Sequence, residues 1–160
     1  MAAEYSANAV QTVAVNAPVI FTESPVPCRR GIIFHRDESG IFRLANNANS
    51  NRCNCNCGCR QVYETLYNVT FHANIAISEG GTVEPIQLTI AIDGEPDPSS
   101  TMISTPAAVG NFQNVGAEII VAVPSICGCE SISVRNTSTQ AIDVQNANLT
   151  IDYIGVRRVL

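Results

Sequence analysis

Cysteine is the residue type whose number and spacing most clearly point to chemistry. The sequence has seven Cys in 160 residues, and six of them lie in two short clusters: Cys53, Cys55, Cys57, Cys59, Cys127 and Cys129. Thiolate sulfur is a soft ligand that suits Zn²⁺ and Cu⁺, so four sulfurs in one segment could hold a metal ion. The Cys-x-Cys alternation departs from the wider spacing that is usual in structural zinc sites. We therefore expect no resident cofactor, with zinc at these clusters as the alternative.

Disulfide bonds are a second interpretation of the same clusters. Bridges from Cys53 or Cys55 to Cys127 or Cys129 would join two loops, and a disulfide stabilises a folded chain by roughly 2–4 kcal/mol. An odd number of cysteines leaves at least one thiol free or bonded to another subunit. Free thiols in a loop are the third interpretation, and the sequence leaves all three open.

The other reactive residues do not form a recognisable catalytic motif. A nucleophilic Cys28 would need a base, and the two histidines, His35 and His72, both fit ordinary strand positions. The sequence has no G-x-S-x-G, H-E-x-x-H or Gly-rich phosphate-binding motif. Three alternating carboxylates lie in a segment with two prolines, which favours a plain turn over a Ca²⁺ loop: Asp93, Glu95 and Asp97. We expect that the protein is not an enzyme.

Composition narrows the classes of partner. Hydrophobic residues make up 46% of the chain and charged residues 14%, and all nine basic residues are Arg against 14 acidic residues. A net charge of -5 argues against binding nucleic acid, which needs clustered cations. No apolar run reaches the roughly 18–20 residues of a membrane span, so we expect no membrane insertion.

The charge is also unevenly distributed along the chain. Residues 1–60 carry six Arg and four acidic residues, whereas residues 61–160 carry three Arg and ten acidic residues. Two parts of one fold that face different surroundings would explain this difference. The alternative is a chain that assembles with its basic part against an acidic surface.

The elements that must position these residues are strands. Apolar residues recur at every second position in short segments rich in Val, Ile and Thr, and turn residues separate the segments. The clearest are Ala9–Val15, Gly31–Arg36, Ile41–Leu44, Tyr67–Ile77, Ile86–Ile92, Val115–Val123, Ile132–Arg135 and Leu149–Ile154. No segment of ten or more residues has helical periodicity. The pattern predicts an all-β chain of about eight to ten strands, packed as an antiparallel sandwich or barrel.

The domain organisation follows from where the pattern starts and where it is interrupted. We predict a short N-terminal arm over residues 1–8 and one domain over residues 9–160. The polar, uncharged residues Ser6–Ala9 give this start little reason to fold alone. An Asn/Cys-rich loop at residues 46–60 interrupts two strands and is expected at the surface.

Three motifs carry a resemblance to a known family: Ala91–Pro96, Thr105–Val109 and Val144–Leu149. With the order of the strands, they make residues 8–155 similar to the jelly roll of tumour necrosis factor and complement heads. The resemblance is to the small form that is common in gut Firmicutes and their phages. It implies an antiparallel jelly-roll sandwich that is homotrimeric, with apolar and aromatic side chains at the seam. Four residues are the candidates for that seam: Tyr67, Phe71, Phe112 and Tyr153.

The resemblance and the low charge together predict a structural protein. We expect a trimeric decoration or head-fibre protein on a phage capsid, in contact with a capsid protein at the virion surface, or on a bacterial cell or spore surface. The absence of Lys supports assembly, because isolated sandwiches commonly protect their edge strands with Lys. The alternative is a glycan- or receptor-binding tip, although the chain has no Trp and only 6% aromatic residues.

Overall fold

Two antiparallel sheets form the structure. The computed structural model describes residues 1–28, 31–46, 63–124 and 129–159. Within these ranges there are twelve strands, one short 3₁₀ turn at Pro98–Ser100 and no α-helix. The strands are β1 Ala2–Ala7, β2 Gln11–Val13, β3 Glu23–Val26, β4 Ile33–His35, β5 Phe42–Ala45, β6 Tyr63–Ile77, β7 Ile86–Ile92, β8 Glu95–Pro96, β9 Met102–Ser104, β10 Gln113–Pro124, β11 Cys129–Asn136 and β12 Ile142–Arg158.

The strand order is that of a jelly roll. The first sheet has the order β10-β6-β12-β1-β3, and β2 also pairs with β12. The second sheet has the order β4-β5-β11-β7-β8, and β9 also pairs with β7. The chain therefore crosses between the sheets after β3, β5, β6, β9, β10 and β11, and all pairs are antiparallel. The predicted all-β, antiparallel jelly-roll fold is confirmed, with extra strands because β2, β8 and β9 are only two or three residues long.

The core lies between the two sheets and follows the alternation of the sequence. In β6 the side chains of Tyr67, Val69 and Phe71 are fully buried, whereas the intervening Asn68 and Thr70 face outward and are half-buried. The second sheet contributes Phe42 from β5, which packs against Phe21 with ring centroids 5.3 Å apart. The Tyr67 hydroxyl donates a hydrogen bond to the Ala45 carbonyl on the opposite sheet.

The predicted N-terminal arm is replaced by a strand. Residues Ala2–Ala7 form β1, which lies between β12 and β3 in the first sheet. The side chains of Ala3, Tyr5 and Ala7 are buried in the core. The prediction failed because two of these three inward residues are Ala, which gives only a weak strand signal. Their small side chains pack where the two sheets converge with the neighbouring strands.

The longest strand, β12, bends twice along its length. Its register with β6 shifts between Gln145 and Asn148 and again between Tyr153 and Gly155. Asn146 has φ of 51°, a left-handed conformation that Asn tolerates better than most residues. These bulges allow β12 to continue as one strand of 17 residues, although the sequence pattern divides the same residues into separate segments. The described part of the chain has no helix long and apolar enough to cross a membrane.

Candidate functional site

The outward surface of β10, β6 and β12 includes two neighbouring rows in which apolar and small residues predominate. Antiparallel register places Ile120 opposite Asn68, and Asn68 opposite Asp152, so these three side chains share one row. The next row holds only small or apolar residues: Ala122, Leu66 and Gly155. We call the surface around these two rows the assembly face. Asp152 is its single charge.

Two isoleucines on this surface are open to solvent. Ile120 is 64% exposed, and Ile154, the extra residue at the second bulge of β12, is 52% exposed. Burying an isoleucine side chain stabilises a contact by roughly 1.5–3 kcal/mol. The assembly face therefore offers a partner an apolar contact that a monomer leaves unused.

Asn68 adds a polar signal in the same row. Its Oδ1 atom is buried, and it has no hydrogen-bond partner among the residues that the structure describes. Buried acceptors in native proteins nearly always have a donor. Because the chain itself covers this atom, it is a polar position beneath the row and not a contact that a partner reaches directly.

The edge of the first sheet is open beside the assembly face. Strand β10 runs for 12 residues and pairs with β6 on one side. Across the described ranges no other strand pairs with its second side. Its charged side chain is Glu118, and the strand ends at Pro124. A long edge of this kind presents unpaired backbone N–H and C=O groups that can bind another chain.

The structure separates the four predicted seam residues into two classes. The rings of Tyr67 and Phe71 are fully buried between the two sheets of one chain, so they offer nothing to a neighbour. Tyr153 is half-buried and packs on Tyr67 with ring centroids 6.1 Å apart, whereas Phe112 is exposed just before β10. The predictions for Tyr67 and Phe71 were wrong because apolar alternation does not distinguish a core within one chain from a seam between chains. The sequence analysis did not single out Ile120.

Most of the cysteine clusters lies outside the described residues. This applies to Cys53, Cys55, Cys57, Cys59 and Cys127. Cys129, at the start of β11, is disulfide-bonded. The described part of the chain has no group of three or more His, Cys, Asp and Glu side chains that could hold a metal ion. Zinc binding at the clusters stays a prediction.

The candidate nucleophile and one candidate base line the same cavity. Cys28 has a free thiol, and it lines a cavity of about 390 Å³ together with Tyr5 and His35. The His35 ring stacks on Phe42 with centroids 4.4 Å apart, and its Nε2 lies 2.9 Å from the Ser39 carbonyl oxygen. Because a carbonyl only accepts, Nε2 carries a proton. This histidine holds the β4–β5 hairpin together.

The other predicted chemical groups lie apart from this cavity. His72 is exposed on the outer face of β6, opposite Gly116 in one direction and Asn148 in the other. Asp97 caps the 3₁₀ turn, where its carboxylate accepts a hydrogen bond from the Ser99 backbone N–H at 3.0 Å. The segment of alternating carboxylates thus forms the plain turn that the sequence indicates.

A pair of carboxyl groups on the second sheet was not anticipated. The Asp93 carboxylate, after β7, accepts hydrogen bonds from Ser131 N at 2.7 Å and Ser131 Oγ at 3.0 Å. Burial and a hydrogen bond to Asp93 raise the pKa of Glu130 to about 7. The same hydrogen bond lowers the pKa of Asp93. The two groups are 37 positions apart in sequence, so no local motif reveals them.

Comparison with known proteins agrees with this architecture. The chain is similar to the globular domain of zebrafish complement 1qA, with a TM-score of 0.59 and 12% identity, covering 99% of this chain and 98% of that one. It is similar to murine APRIL, with a TM-score of 0.54 and 7% identity, covering 96% and 100%. It is also similar to the Eiger TNF of S. frugiperda, with a TM-score of 0.51 and 12% identity, covering 97% and 92%.

These likenesses establish the fold, which is the jelly roll of complement 1q and tumour necrosis factor domains. No protein-family model matches the sequence, and no curated protein matches it. The function is therefore argued below from the surface of the chain itself.

Proposed function

We propose that this protein is a structural subunit that assembles as a homotrimer and decorates the surface of a larger particle, such as a virion. One observation carries the proposal: the exposed Ile120 and Ile154 of the assembly face lie beside the edge of β10 that no other strand covers in the described ranges. The role is non-catalytic, and its chemistry is the burial of apolar surface between identical copies.

The neighbouring features of the assembly face favour a second copy of the same chain as the partner. The two rows hold one charge, Asp152, and β10 holds one, Glu118, so a second copy brings little charge to the contact. The jelly-roll fold supports three copies, because the resemblance to complement and tumour-necrosis-factor heads implies packing about a threefold axis. Stable interfaces bury about 800 Å² per partner, so the two rows would form the centre of a larger interface that also includes the β10 edge.

The oligomeric state tests the first part of the proposal. Light scattering on the purified protein at micromolar concentration should give a mass close to three times the 17.1 kDa of the chain. The Ile120→Asp variant should give the mass of one chain, because it places a charge where the seam excludes water. A stable monomer of the unsubstituted protein would overturn the homotrimer.

Ile103→Asp is the matched control. Ile103 is 63% exposed, as open as Ile120, but it lies on β9 of the second sheet. The substitution should leave the mass of the assembly unchanged. Dissociation of both variants would show that charge at any exposed isoleucine disrupts the protein, and it would remove the assembly face from the proposal.

The particle is the second part of the proposal, and it is supported by the low charge and the absence of Lys. A surface with few charges is better suited to burial against a partner than to exposure in free solution. The genes beside the coding sequence provide the test: capsid, portal and terminase genes are expected. Coat or cell-wall genes in their place would move the protein to a spore or cell surface and contradict the virion assignment.

A further inference from the structure

The β4–β5 hairpin at the edge of the second sheet forms a basic cavity that the proposed assembly does not use. The cavity has a volume of about 410 Å³ and is lined by Phe34, His35, Arg36, Ser39, Ile41 and Arg43. Strand β4 is the last strand of its sheet and pairs with β5 on one side. Side chains from two adjacent strands therefore converge on one opening.

Two arginines line this cavity. Arg36 and Arg43 are both exposed. The described part of the chain has one ion pair, between Arg157 and Glu64, so neither cavity arginine has a carboxylate partner there. Asp37 lines the adjacent 390 Å³ cavity and not this one. In a chain with a net charge of -5, two guanidinium groups at one opening are a local exception.

Apolar surface lies directly beside these cations. Phe34 is 40% exposed and Ile41 is 47% exposed. Phe34 is opposite Arg43 in the register of the hairpin, so the ring and the guanidinium lie on the same face. An aromatic ring next to a planar cation can contact the apolar face of a ligand while the cation binds its charge.

The base of the cavity is held in place by contacts within the hairpin. His35 Nε2 donates a hydrogen bond to the Ser39 carbonyl at 2.9 Å, and the Ser39 hydroxyl accepts one from the Ile41 N–H at 3.1 Å. The His35 ring stacks on the fully buried Phe42. A preformed site loses less conformational entropy when it binds a ligand.

We propose that this cavity binds a carboxylate-bearing saccharide. Arg36 and Arg43 would each donate hydrogen bonds to the sugar carboxylate, whose two oxygens match the guanidinium geometry. Phe34 and Ile41 would cover the C–H face of the sugar ring, and the volume accommodates one to two sugar units. The cavity is on the opposite sheet from the assembly face, so it stays open in a trimer. Three copies would then bind a polymeric acid multivalently.

Titration calorimetry with defined oligosaccharides tests the site on the whole protein. A galacturonic acid oligosaccharide should bind, and the neutral galactose oligosaccharide of the same length should bind at least about tenfold more weakly, because a charge-assisted hydrogen bond is lost. Arg36→Gln and Arg43→Gln should each weaken binding of the acid about tenfold. Phe34→Ala should weaken it about threefold to tenfold through lost ring contact.

Arg158→Gln is the matched control, since Arg158 is an exposed arginine on β12 of the first sheet. It should bind the acid as the unsubstituted protein does, and all variants should keep the same melting temperature. Equal binding of the acidic and neutral sugars would overturn the proposal, as would an equal loss in Arg158→Gln. Equal binding of a sulfated galactose oligosaccharide would also overturn it, by showing that the surface selects charge and not the carboxylate. These outcomes do not depend on the oligomeric state.

Discussion

The outer face of the first sheet and the edge of the second sheet face their surroundings with different chemistry. Around Ile120 the first sheet has two rows of mostly apolar or small residues that include a single carboxylate. At the edge of the second sheet, two arginines that form no ion pair within the described ranges lie beside an exposed phenylalanine. Since both sheets share one core, their outer surfaces can differ without affecting the packing between them. One small jelly roll can thus separate self-association from ligand binding.

The largest expected effect tests whether the two sheets contribute equally to the core. Phe71 from the first sheet and Phe42 from the second are both fully buried. Replacing either with Ala should lower the free energy of unfolding by about 3–5 kcal/mol, because a large cavity is left in the core. Urea unfolding followed by circular dichroism measures both. A loss below about 1 kcal/mol for either variant would contradict a shared core.

A smaller effect tests the link between the sheets. Tyr67→Phe removes the hydroxyl that donates to the Ala45 carbonyl and leaves that carbonyl buried without this donor. The expected loss is about 1–3 kcal/mol in the free energy of unfolding. Tyr153→Phe, at a half-buried ring on the same sheet, is the control and should change stability much less. Equal losses would show that the hydroxyl of Tyr67 has no special role.

The pH dependence of stability should originate in the second sheet. The pKa of Glu130 is raised from 4.5 to about 7 in the folded protein, so between these pH values the folded state holds a proton that the unfolded chain has released. The free energy of unfolding should therefore fall as the pH rises from about 4.5 to about 7. Above pH 7, Glu130 should contribute no further slope.

Glu130→Gln isolates this contribution, because its amide donates a hydrogen bond to Asp93 at every pH. In this variant the melting temperature should no longer fall between these pH values. Above pH 7 it should melt about 2 °C higher than the unsubstituted protein, a modest gain because Glu130 is largely solvent-screened. An unchanged slope in a series of thermal melts would contradict the assignment to this pair.

The smallest effect concerns the charged end of the first sheet. Arg157 Nη2 lies 2.6 Å from Glu64 Oε2, but the arginine side chain is 59% exposed. Arg157→Ala should cost about 0.2–1 kcal/mol, and added salt should reduce that cost further. Chemical unfolding at low and high salt measures it. A salt-independent loss would show that the arginine stem contributes by packing.

The sequence predicts elements well where large apolar residues alternate, and poorly where they do not. The inward positions of β6 are correct from Tyr67 to Ile77, because each inward residue but Ala73 is large and apolar. The inward positions of β1 are mostly Ala, so the sequence predicts an arm where the structure has a strand. Ile120 is an apolar residue at the polar phase of β10, a signal that the alternation alone does not assign to a contact.

The candidate sites depend on register and tertiary contact, which periodicity does not contain. Phe34 and Arg43 share a face only because the turn between β4 and β5 sets their pairing. Asp93 and Glu130 meet through the pairing of β7 with β11. The sequence shows the excess of arginine in residues 1–60, but it does not show which two arginines line the same cavity.

The position of β12 between β6 and β1 has a consequence for biosynthesis. Ala2 pairs with Asp152, so β1 cannot complete its pairing until β12 has been synthesised. Until β12 emerges, β6 and β1 both expose backbone edges, and pairing across such a sequence separation is slow. We expect this domain to complete its fold only once β12 is present and to need protection from aggregation until then.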